Sequence, residues 1–164
     1  MDYSLRQVAW STHQAELLKV RVAVFVDEQG VPAELEQDDR DPGAIHLLVT
    51  SRAGEPIATA RMLADGQIGR MAVLPDWRRR GIGAAMLRRL VAIASAQGRR
   101  EVFLHAQCQA EPFYRRLGFI ADSRVTATRV DDGTWDVDVW TRDEWSTRVE
   151  ISAEFENGVQ LRNL

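Results

Sequence analysis

The 164-residue chain has a single cysteine, a single lysine and no long apolar run. Because Cys108 is alone, the chain can form neither an intrachain disulfide nor a C-x-x-C metal or redox motif. Lys19 has no glycine-rich loop before it, so the lysine that a Walker-A nucleotide site requires is missing. No stretch approaches the ~20 apolar residues that span a bilayer, and the N-terminus lacks the basic and apolar regions of a signal peptide. We therefore expect a cytoplasmic protein that does not contact a membrane.

The composition is otherwise that of an ordinary globular domain. Hydrophobic residues make up 45% of the chain and charged residues 27%, so one domain can bury a core without a metal or a disulfide. The net charge of −3 and the sequence pI near 5.6 argue against general binding of nucleic acid. His13 and His105 have no partners at ligand spacing, which predicts that the chain holds no metal.

The hydrophobic pattern predicts a mixed fold of the α/β or α+β class. A helix follows a short opening strand, with Ser11 or Thr12 as its N-cap. Its apolar face is predicted at Leu18, Val22 and Phe25. An antiparallel meander of three strands comes next, at Ala44–Ser51, Pro56–Leu63 and Gln67–Leu74.

After the meander the pattern predicts a strand, a helix and a second strand in succession. The helix covers Gly81–Gln97 and the second strand Val102–Ala106, which makes a βαβ unit with parallel strands. A short helix is expected at Ala110–Leu117. A C-terminal hairpin is expected to pair Val125–Val130 with Trp135–Thr141.

The last part of the chain is too apolar for a disordered tail, since it contains large residues such as Trp145 and Phe155. We predict one domain over residues 1–142 and an extension over residues 143–164. The extension is expected to add a strand or an interface element. A homodimer is one option for such an interface.

The densest chemical signal is the segment Arg78-Arg79-Arg80-Gly81-Ile82-Gly83-Ala84, between a strand and the first turn of a helix. A helix N-terminus offers unpaired N–H groups and the positive end of the helix dipole, and glycines let an anion approach them closely. The arginines add charge for more than one phosphate. The segment therefore predicts a phosphate site, with a solvated basic turn as the alternative. A dinucleotide fingerprint does not fit, because Met86 stands at its third glycine position.

Two motifs resemble those of the GCN5-related N-acetyltransferases, the GNAT family. The pattern Arg78-x-x-Gly81-x-Gly83, after the strand Gly69-Arg70-Met71-Ala72-Val73, is similar to the family's acetyl-coenzyme A signature. A second family motif is similar to Gln107-x-x-Ala110-x-x-Phe113-Tyr114-x-x-x-Gly118-Phe119, with glutamine in place of asparagine. The stretch Val24-Phe25-Val26-Asp27-Glu28-Gln29, with Asp38, Asp41 and His46, resembles the bacterial ElaA/YjcF-like branch. The resemblance covers about residues 21–119.

The resemblance implies a GNAT fold and an acetyl-CoA-dependent N-acetyltransferase. The amine of a small molecule or peptide would attack the thioester directly in a ternary complex, without a covalent acyl-enzyme. By this analogy the backbone of Met71, Ala72 and Val73 pairs with the pantetheine arm, although these residues also fit a plain core strand. The remaining cofactor-binding residues implied by the two motifs are Arg78, Arg79, Arg80, Gly81, Ile82, Gly83, Ala84, Gln107, Phe113 and Tyr114.

Tyr114 matches the family position that protonates the departing thiolate. A phenol with an ordinary pKa of ~10 keeps its proton at neutral pH and can give it to a thiolate whose acid has a pKa of ~8.5. The alternative for Tyr114 is packing of a short helix. Deprotonation of the amine needs a base or a water chain, and Glu28 and His46 are the candidates. The alternatives are that Glu28 only caps a helix or forms a salt bridge to an arginine such as Arg21 or Arg61, and that His46 has a structural role.

The segment of residues 27–43 is acidic and long for a passive connection. Five carboxylates lie within eight positions there: Glu34, Glu36, Asp38, Asp39 and Asp41. The resemblance places the segment beside the acceptor entrance, opposite the basic cofactor end, which predicts a cationic amine substrate. The alternatives are a solvated loop or one tied down by Arg40 and Arg61. For the whole chain, the alternative to catalysis is a non-catalytic acyl-CoA-binding or anion-binding regulatory module.

Overall fold

The structure, a computed structural model, describes residues 2–129, 135–141 and 158–163. The chain divides into two compact units, residues 1–100 and residues 101–164. In the described part of the chain, no helix is long and apolar enough to cross a membrane.

The first unit is built on an antiparallel sheet. Its strands lie in the order β1 (Tyr3–Val8), β2 (Ile45–Ser51), β3 (Pro56–Met62) and β4 (Gln67–Val73). The turns that join the last three strands contain Gly54 and Gly66, whose φ angles of 84° and 93° lie in the left-handed region that glycine adopts without strain. The predicted antiparallel meander is therefore confirmed.

A long helical segment leads from β1 to the acidic segment. Helix α1 covers Trp10–Arg21 and continues as a π-helix over Val22–Glu28. Ala9 is the N-cap of α1, so the predicted cap at Ser11 or Thr12 is wrong. The Thr12 hydroxyl instead donates a hydrogen bond of 3.3 Å back to the Ala9 carbonyl. The π-helix ends at Glu28, one of the predicted site residues. Single π-helical turns are frequent at functional sites.

The buried face of α1 also differs from the predicted one. Leu17, Val20 and Val24 are buried at helical spacing, whereas Val22 is 38% exposed. Arg21 completes the buried stripe with an exposure of 1%. Because a charged residue occupies one position of the buried stripe, the hydrophobic pattern alone favours the wrong face.

Four further helical pieces belong to the first unit. Helix α2 is a single turn at Ala33–Glu36, and 3-10 turns lie at Asp41–Gly43 and Pro75–Trp77. Helix α3 covers Ile82–Ala96. Its buried residues are Ile82, Met86, Leu87, Leu90 and Ala94. Both α1 and α3 contact β3 and β4, and β3 is buried at successive positions, which point to opposite faces of the sheet.

The second unit contains the remaining strands. Its elements are β5 (Val102–Gln107), a 3-10 turn (Cys108–Ala110), α4 (Glu111–Arg116), β6 (Ile120–Arg129), β7 (Trp135–Thr141) and β8 (Gly158–Asn163). Strand, helix and strand thus follow one another from β4 through α3 to β5 in the predicted order. The predicted hairpin is confirmed, because β6 and β7 pair antiparallel.

The final strand comes from the C-terminal part of the chain. Strand β8 pairs antiparallel with both β5 and β6, so it lies between them in the sheet. The predicted boundary between residues 142 and 143 lies outside the described residues. The same is true of the hairpin turn at residues 131–133 and of Trp145 and Phe155.

Candidate active site

Strand β4 carries a bulge where the cofactor-binding backbone is predicted. Its pairing with β3 shifts register between Thr59 and Arg61, so that Arg70 and Met71 together face one residue of β3. Arg70 has a φ of 48°, in the left-handed region that non-glycine residues rarely adopt. A bulge takes backbone groups out of the ladder and bends the strand, and bulges are common beside active sites.

The residues after the bulge belong to the core of the first unit. Ala72 is 3% exposed and packs in a cluster with Val20 and Val24, while Met71 and Val73 are half-buried. The core interpretation of this stretch is therefore correct. It leaves the predicted cofactor role intact, because pairing with a pantetheine arm would use the backbone rather than the side chains.

The predicted phosphate segment begins α3 with an open set of backbone donors. Gly81 is the N-cap with a φ of 78°, and no side chain of the described residues caps the helix. The N–H of Ala85 makes a helical hydrogen bond of 2.9 Å to the Gly81 carbonyl. The N–H groups of Ile82, Gly83 and Ala84 precede it and have no acceptor within the helix. Three adjacent donors at the positive end of a 15-residue helix fit an anionic ligand.

The three arginines before this helix are placed differently. Arg78 donates from Nε to the Val73 carbonyl at 2.9 Å. Arg79 is exposed, has a φ of 59° and has no ion-pair partner among the described residues. The Arg80 guanidinium lies over the Trp77 ring at 4.8 Å from its centre. Arg79 and Arg80 thus present cations to solvent beside the α3 N-terminus, as a phosphate site requires.

Glu28 and Arg78, both predicted site residues, contact each other. The Glu28 carboxylate accepts hydrogen bonds of 2.7 Å from Nη1 and 2.5 Å from Nη2 of Arg78. The hydrogen bond from Arg78 lowers the pKa of Glu28, and burial opposes this only in part. The predicted alternative of a salt bridge from Glu28 to an arginine is therefore correct, and the arginine is Arg78 rather than Arg21 or Arg61.

His46, the other predicted base, lies inside the protein. Its side chain is 1% exposed, and Nε2 donates a hydrogen bond of 2.8 Å to the Asp41 carbonyl. The imidazole ring lies 5.2 Å from the Trp10 ring. Burial lowers the pKa of His46, although its hydrogen bond to Asp41 opposes the shift, so the imidazole is neutral at pH 7. This placement favours the structural alternative for His46.

Much of the acidic segment is engaged in a buried ionic cluster. Arg21 donates from Nε to the Glu36 carboxylate and from Nη1 and Nη2 to Asp41, at 2.9 and 3.1 Å. Glu36 is 3% exposed and Asp41 is fully buried. Arg61 donates to Asp41 and to Asp38, each at 2.8 Å.

Arg70 joins the outer side of this cluster. It donates to the Glu36 carbonyl at 3.1 Å and to the Asp38 carboxylate at 3.3 Å. Burial and the neighbouring Arg61 and Arg21 lower the pKa of Arg70. The alternative of a segment tied down by arginines is therefore correct for Arg61. It is also correct for Arg40, whose guanidinium ties the segment to Asp65 of the β3–β4 turn at 3.3 Å.

Sequence reasoning missed this cluster, and one signal pointed to it. Arg61 and Arg70 each interrupt a largely apolar strand, and Arg21 directly precedes the apolar run of residues 22–26. Arginines in apolar surroundings, together with a nearby run of carboxylates, indicate buried pairing. Within the described residues, no group of histidine, cysteine and acidic side chains has the geometry of a metal site.

In the second unit, Tyr114 lies on α4 within an aromatic cluster. Its ring makes edge contacts with Phe113 at 5.0 Å and with Phe119 at 6.1 Å between ring centres. Tyr114 is half-buried, and burial raises the pKa of its phenol. The phenol therefore keeps its proton at neutral pH, as a proton donor must. Gln107 ends β5, and its side chain lies outside the described part of the structure.

Comparison with known proteins decides the family. The sequence model described as "Acetyltransferase (GNAT) domain" matches residues 5–139. The chain belongs to the GNAT acetyltransferase family. This GNAT protein is 36% identical over 103 residues to an uncharacterized N-acetyltransferase of Bacillus subtilis, YjcF, with 61% of this chain and 73% of YjcF covered.

Solved structures share the GNAT fold over nearly the whole chain. Escherichia coli ElaA aligns with a TM-score of 0.72 at 23% identity and covers 99% of both chains. An acyl-CoA N-acyltransferase from Pseudomonas aeruginosa gives the same TM-score, identity and coverage. The predicted mixed α/β GNAT fold and the ElaA/YjcF-like branch are therefore confirmed, and the family supports acyl transfer in general.

Proposed function

We propose that this GNAT protein is an N-acetyltransferase that moves an acetyl group from acetyl-CoA to a primary amine by direct attack in a ternary complex. The observation that carries the proposal is the N-terminus of α3, where three uncapped N–H groups follow a left-handed glycine and two solvent-facing arginines. Family membership supports acyl transfer, and this donor set supports a phosphate-bearing acyl carrier.

The residues divide into those that bind the donor and those that move protons. Arg78, Arg79, Arg80 and the amides of residues 82–84 would hold the pyrophosphate, and the bulged backbone of β4 would orient the pantetheine arm. Attack of the amine nitrogen on the thioester carbonyl forms the C–N bond and breaks the C–S bond. Tyr114 would give its phenolic proton to the departing sulfur, because burial keeps that proton in place at neutral pH.

The amine must lose a proton before or during the attack. Of the two candidates, Glu28 is 38% exposed and His46 is 1% exposed with its Nε2 proton committed to the Asp41 carbonyl. Solvent reaches Glu28 directly, so we propose that it, alone or through a water molecule, receives the proton. His46 would then support the site from within the core.

The test is an acetylation screen over amines, amino acids and peptides, with release of free CoA thiol as the readout. Turnover with at least one primary amine, and a product carrying an N-acetyl group by mass spectrometry, is the expected result. Binding of acetyl-CoA without thiol release from any acceptor would favour the non-catalytic acyl-CoA-binding module instead. The cytoplasmic location, the homodimer and the role of residues 143–164 stay predictions.

A further inference from the structure

The Glu28–Arg78 pair joins two residues that are 50 positions apart in the chain. Glu28 ends the π-helix and Arg78 precedes the α3 N-terminus. The carboxylate bridges Nη1 and Nη2, at 2.7 and 2.5 Å. The pair therefore links the start of the acidic segment to the start of the phosphate segment.

Arg78 has no free bidentate edge in this arrangement. A guanidinium binds a planar anion through two parallel N–H groups, either from Nη1 and Nη2 or from Nε and Nη2. Glu28 occupies the edge formed by Nη1 and Nη2. On the other edge, Nε donates a hydrogen bond of 2.9 Å to the Val73 carbonyl. A phosphate that binds Arg78 through the Nη1 and Nη2 edge must first displace Glu28.

The pair is suited to exchange because solvent reaches both partners. The two side chains are 39% and 38% exposed, and exposed ion pairs contribute little to stability and are screened by salt. The buried pair of Arg21 and Asp41 is the contrast, since its two side chains are at most 1% exposed. A pyrophosphate carries more negative charge than a carboxylate and would also be held by the amides of α3.

We propose that Glu28 occupies the phosphate-binding edge of Arg78 in the free protein and that the pyrophosphate of the acyl-CoA donor displaces it, which frees the carboxylate for the acceptor amine. This inference rests on the proposed function, because the displacing group is the donor's pyrophosphate. It implies an order of binding: the carboxylate becomes available to a cationic amine after the donor has bound.

The first experiment measures the Kd of CoA by titration calorimetry for the wild-type protein and for Glu28→Gln. Removing the competing charge is expected to tighten CoA binding roughly two- to fivefold. Glu28→Ala is the second variant, with the same expected direction. Glu55→Gln is the matched control, because Glu55 is exposed in the β2–β3 turn and its substitution removes the same charge without touching Arg78. Pantetheine, which lacks the phosphates, should bind wild type and Glu28→Gln equally.

The second experiment follows the Glu28 carboxyl by carbon-13 NMR titration, with the Glu28→Gln spectrum giving the assignment. In the free protein the hydrogen bond from Arg78 lowers the pKa of Glu28. Saturation with CoA is expected to return that pKa to the ordinary range of an exposed carboxyl, whereas pantetheine should leave it lowered.

The outcomes separate this inference from the proposed function. If CoA binds but Glu28→Gln and Glu28→Ala bind it no more tightly than wild type and Glu55→Gln do, the displacement is overturned and the proposed function stands. A Glu28 pKa that stays lowered in the CoA complex would also overturn the displacement alone. Failure of the wild-type protein to bind CoA at all overturns the proposed function, and the displacement with it.

Discussion

Arg21 and Asp41 form a bidentate ion pair that is shut off from solvent. The two N–O distances are 2.9 and 3.1 Å, and the side chains are 1% and 0% exposed. Asp41 also accepts a hydrogen bond of 2.8 Å from Arg61 of β3, so one carboxylate connects α1, the acidic segment and the sheet. The acidic segment is thereby fixed from inside the core.

The first prediction concerns the stability of this cluster. Asp41→Asn removes one buried charge and leaves two arginines without its compensation, so we expect the free energy of unfolding to fall by about 3–5 kcal/mol. Urea denaturation followed by circular dichroism measures it. Asp65→Asn, which breaks the exposed pair with Arg40, should cost less than about 1 kcal/mol. Equal losses in the two variants would contradict the structural role of Asp41.

The second prediction is that acid destabilises the protein in two stages. Burial lowers the pKa of His46 below its ordinary value of 6.5, so the unfolded state binds more protons than the folded state as the pH falls below 6.5, and stability decreases. Burial raises the pKa of Asp41, but hydrogen bonds from Arg21 and Arg61 outweigh it, and the net pKa lies below 3.8. Asp38 behaves in the same way. Stability from these carboxylates is present above pH 3.8 and is lost as the pH falls through their folded pKa values.

Urea denaturation at a series of pH values measures both stages. The His46→Gln variant keeps a side-chain donor for the Asp41 carbonyl but replaces the buried imidazole with an amide that does not titrate. It should lose the upper stage and retain the lower one. A wild-type stability that stays constant between about pH 7 and pH 5 would exclude the role given to His46.

The sequence predicted the order of elements well because the strands and helices carry clear hydrophobic periods. The wrong buried face predicted for α1 has one physical cause, namely a charged side chain that is buried in ion pairs. The helical pattern pointed to a face through Val22, and the structure buries Leu17, Val20 and Arg21 instead. A hydrophobicity scale counts arginine as polar. It therefore cannot identify a buried helix face that includes an arginine neutralised by carboxylates 15 and 20 residues further along the chain.

The sequence could predict the part of the candidate site that is formed by backbone groups within one short stretch of the chain. The glycine and arginine segment before α3 is a local pattern, and a left-handed N-cap at Gly81 agrees with it. The pairing of Glu28 with Arg78 depends instead on how two distant loops meet. The chain contains many arginines that Glu28 could pair with and many carboxylates that Arg78 could pair with. Only the three-dimensional structure shows that these two residues pair with each other.

The third prediction tests the phosphate segment. Acetyl-CoA at about a hundredfold excess over its Kd should raise the melting temperature of the wild-type protein by about 5–10 °C. Gly83→Val places a branched side chain beside the uncapped N–H groups of α3 and should abolish this rise while the protein stays folded. Gly43→Val, at a glycine whose added Cβ meets open space, should keep the full rise. An unchanged response in folded Gly83→Val protein would remove the phosphate assignment.

The fourth prediction concerns Tyr114. Replacement by phenylalanine keeps the ring and its contacts with Phe113 and Phe119 but removes the proton donor. We expect kcat to fall about 10²-fold with little change in the Kd of acetyl-CoA. Steady-state kinetics with an acceptor from the screen measures the first quantity, and calorimetry the second. Tyr3→Phe changes the only other tyrosine of the chain and should leave kcat unchanged. Wild-type turnover in Tyr114→Phe would assign the tyrosine to packing alone.

The ion pairs of the acidic segment change which of its carboxylates could attract a cationic amine. Asp38, Glu36 and Asp41 are paired with arginines, so their charges are largely compensated. Glu34 and Asp39 are exposed and have no ion-pair partner among the described residues. Among the five carboxylates at residues 34–41, any attraction on a cationic amine must therefore come chiefly from these two side chains.

The last prediction follows from that division. If the substrate is cationic, Glu34→Gln with Asp39→Asn should raise its KM about two- to fivefold at low ionic strength and leave the KM of acetyl-CoA unaltered, because the effect is on approach of the amine. The difference should shrink toward physiological salt, where charges are screened within about 8 Å. Glu16→Gln with Glu55→Gln removes the same charge from other exposed positions and serves as the control. An acceptor KM that does not respond to the first pair, or that responds equally to both pairs, would show that the acidic segment does not guide the substrate.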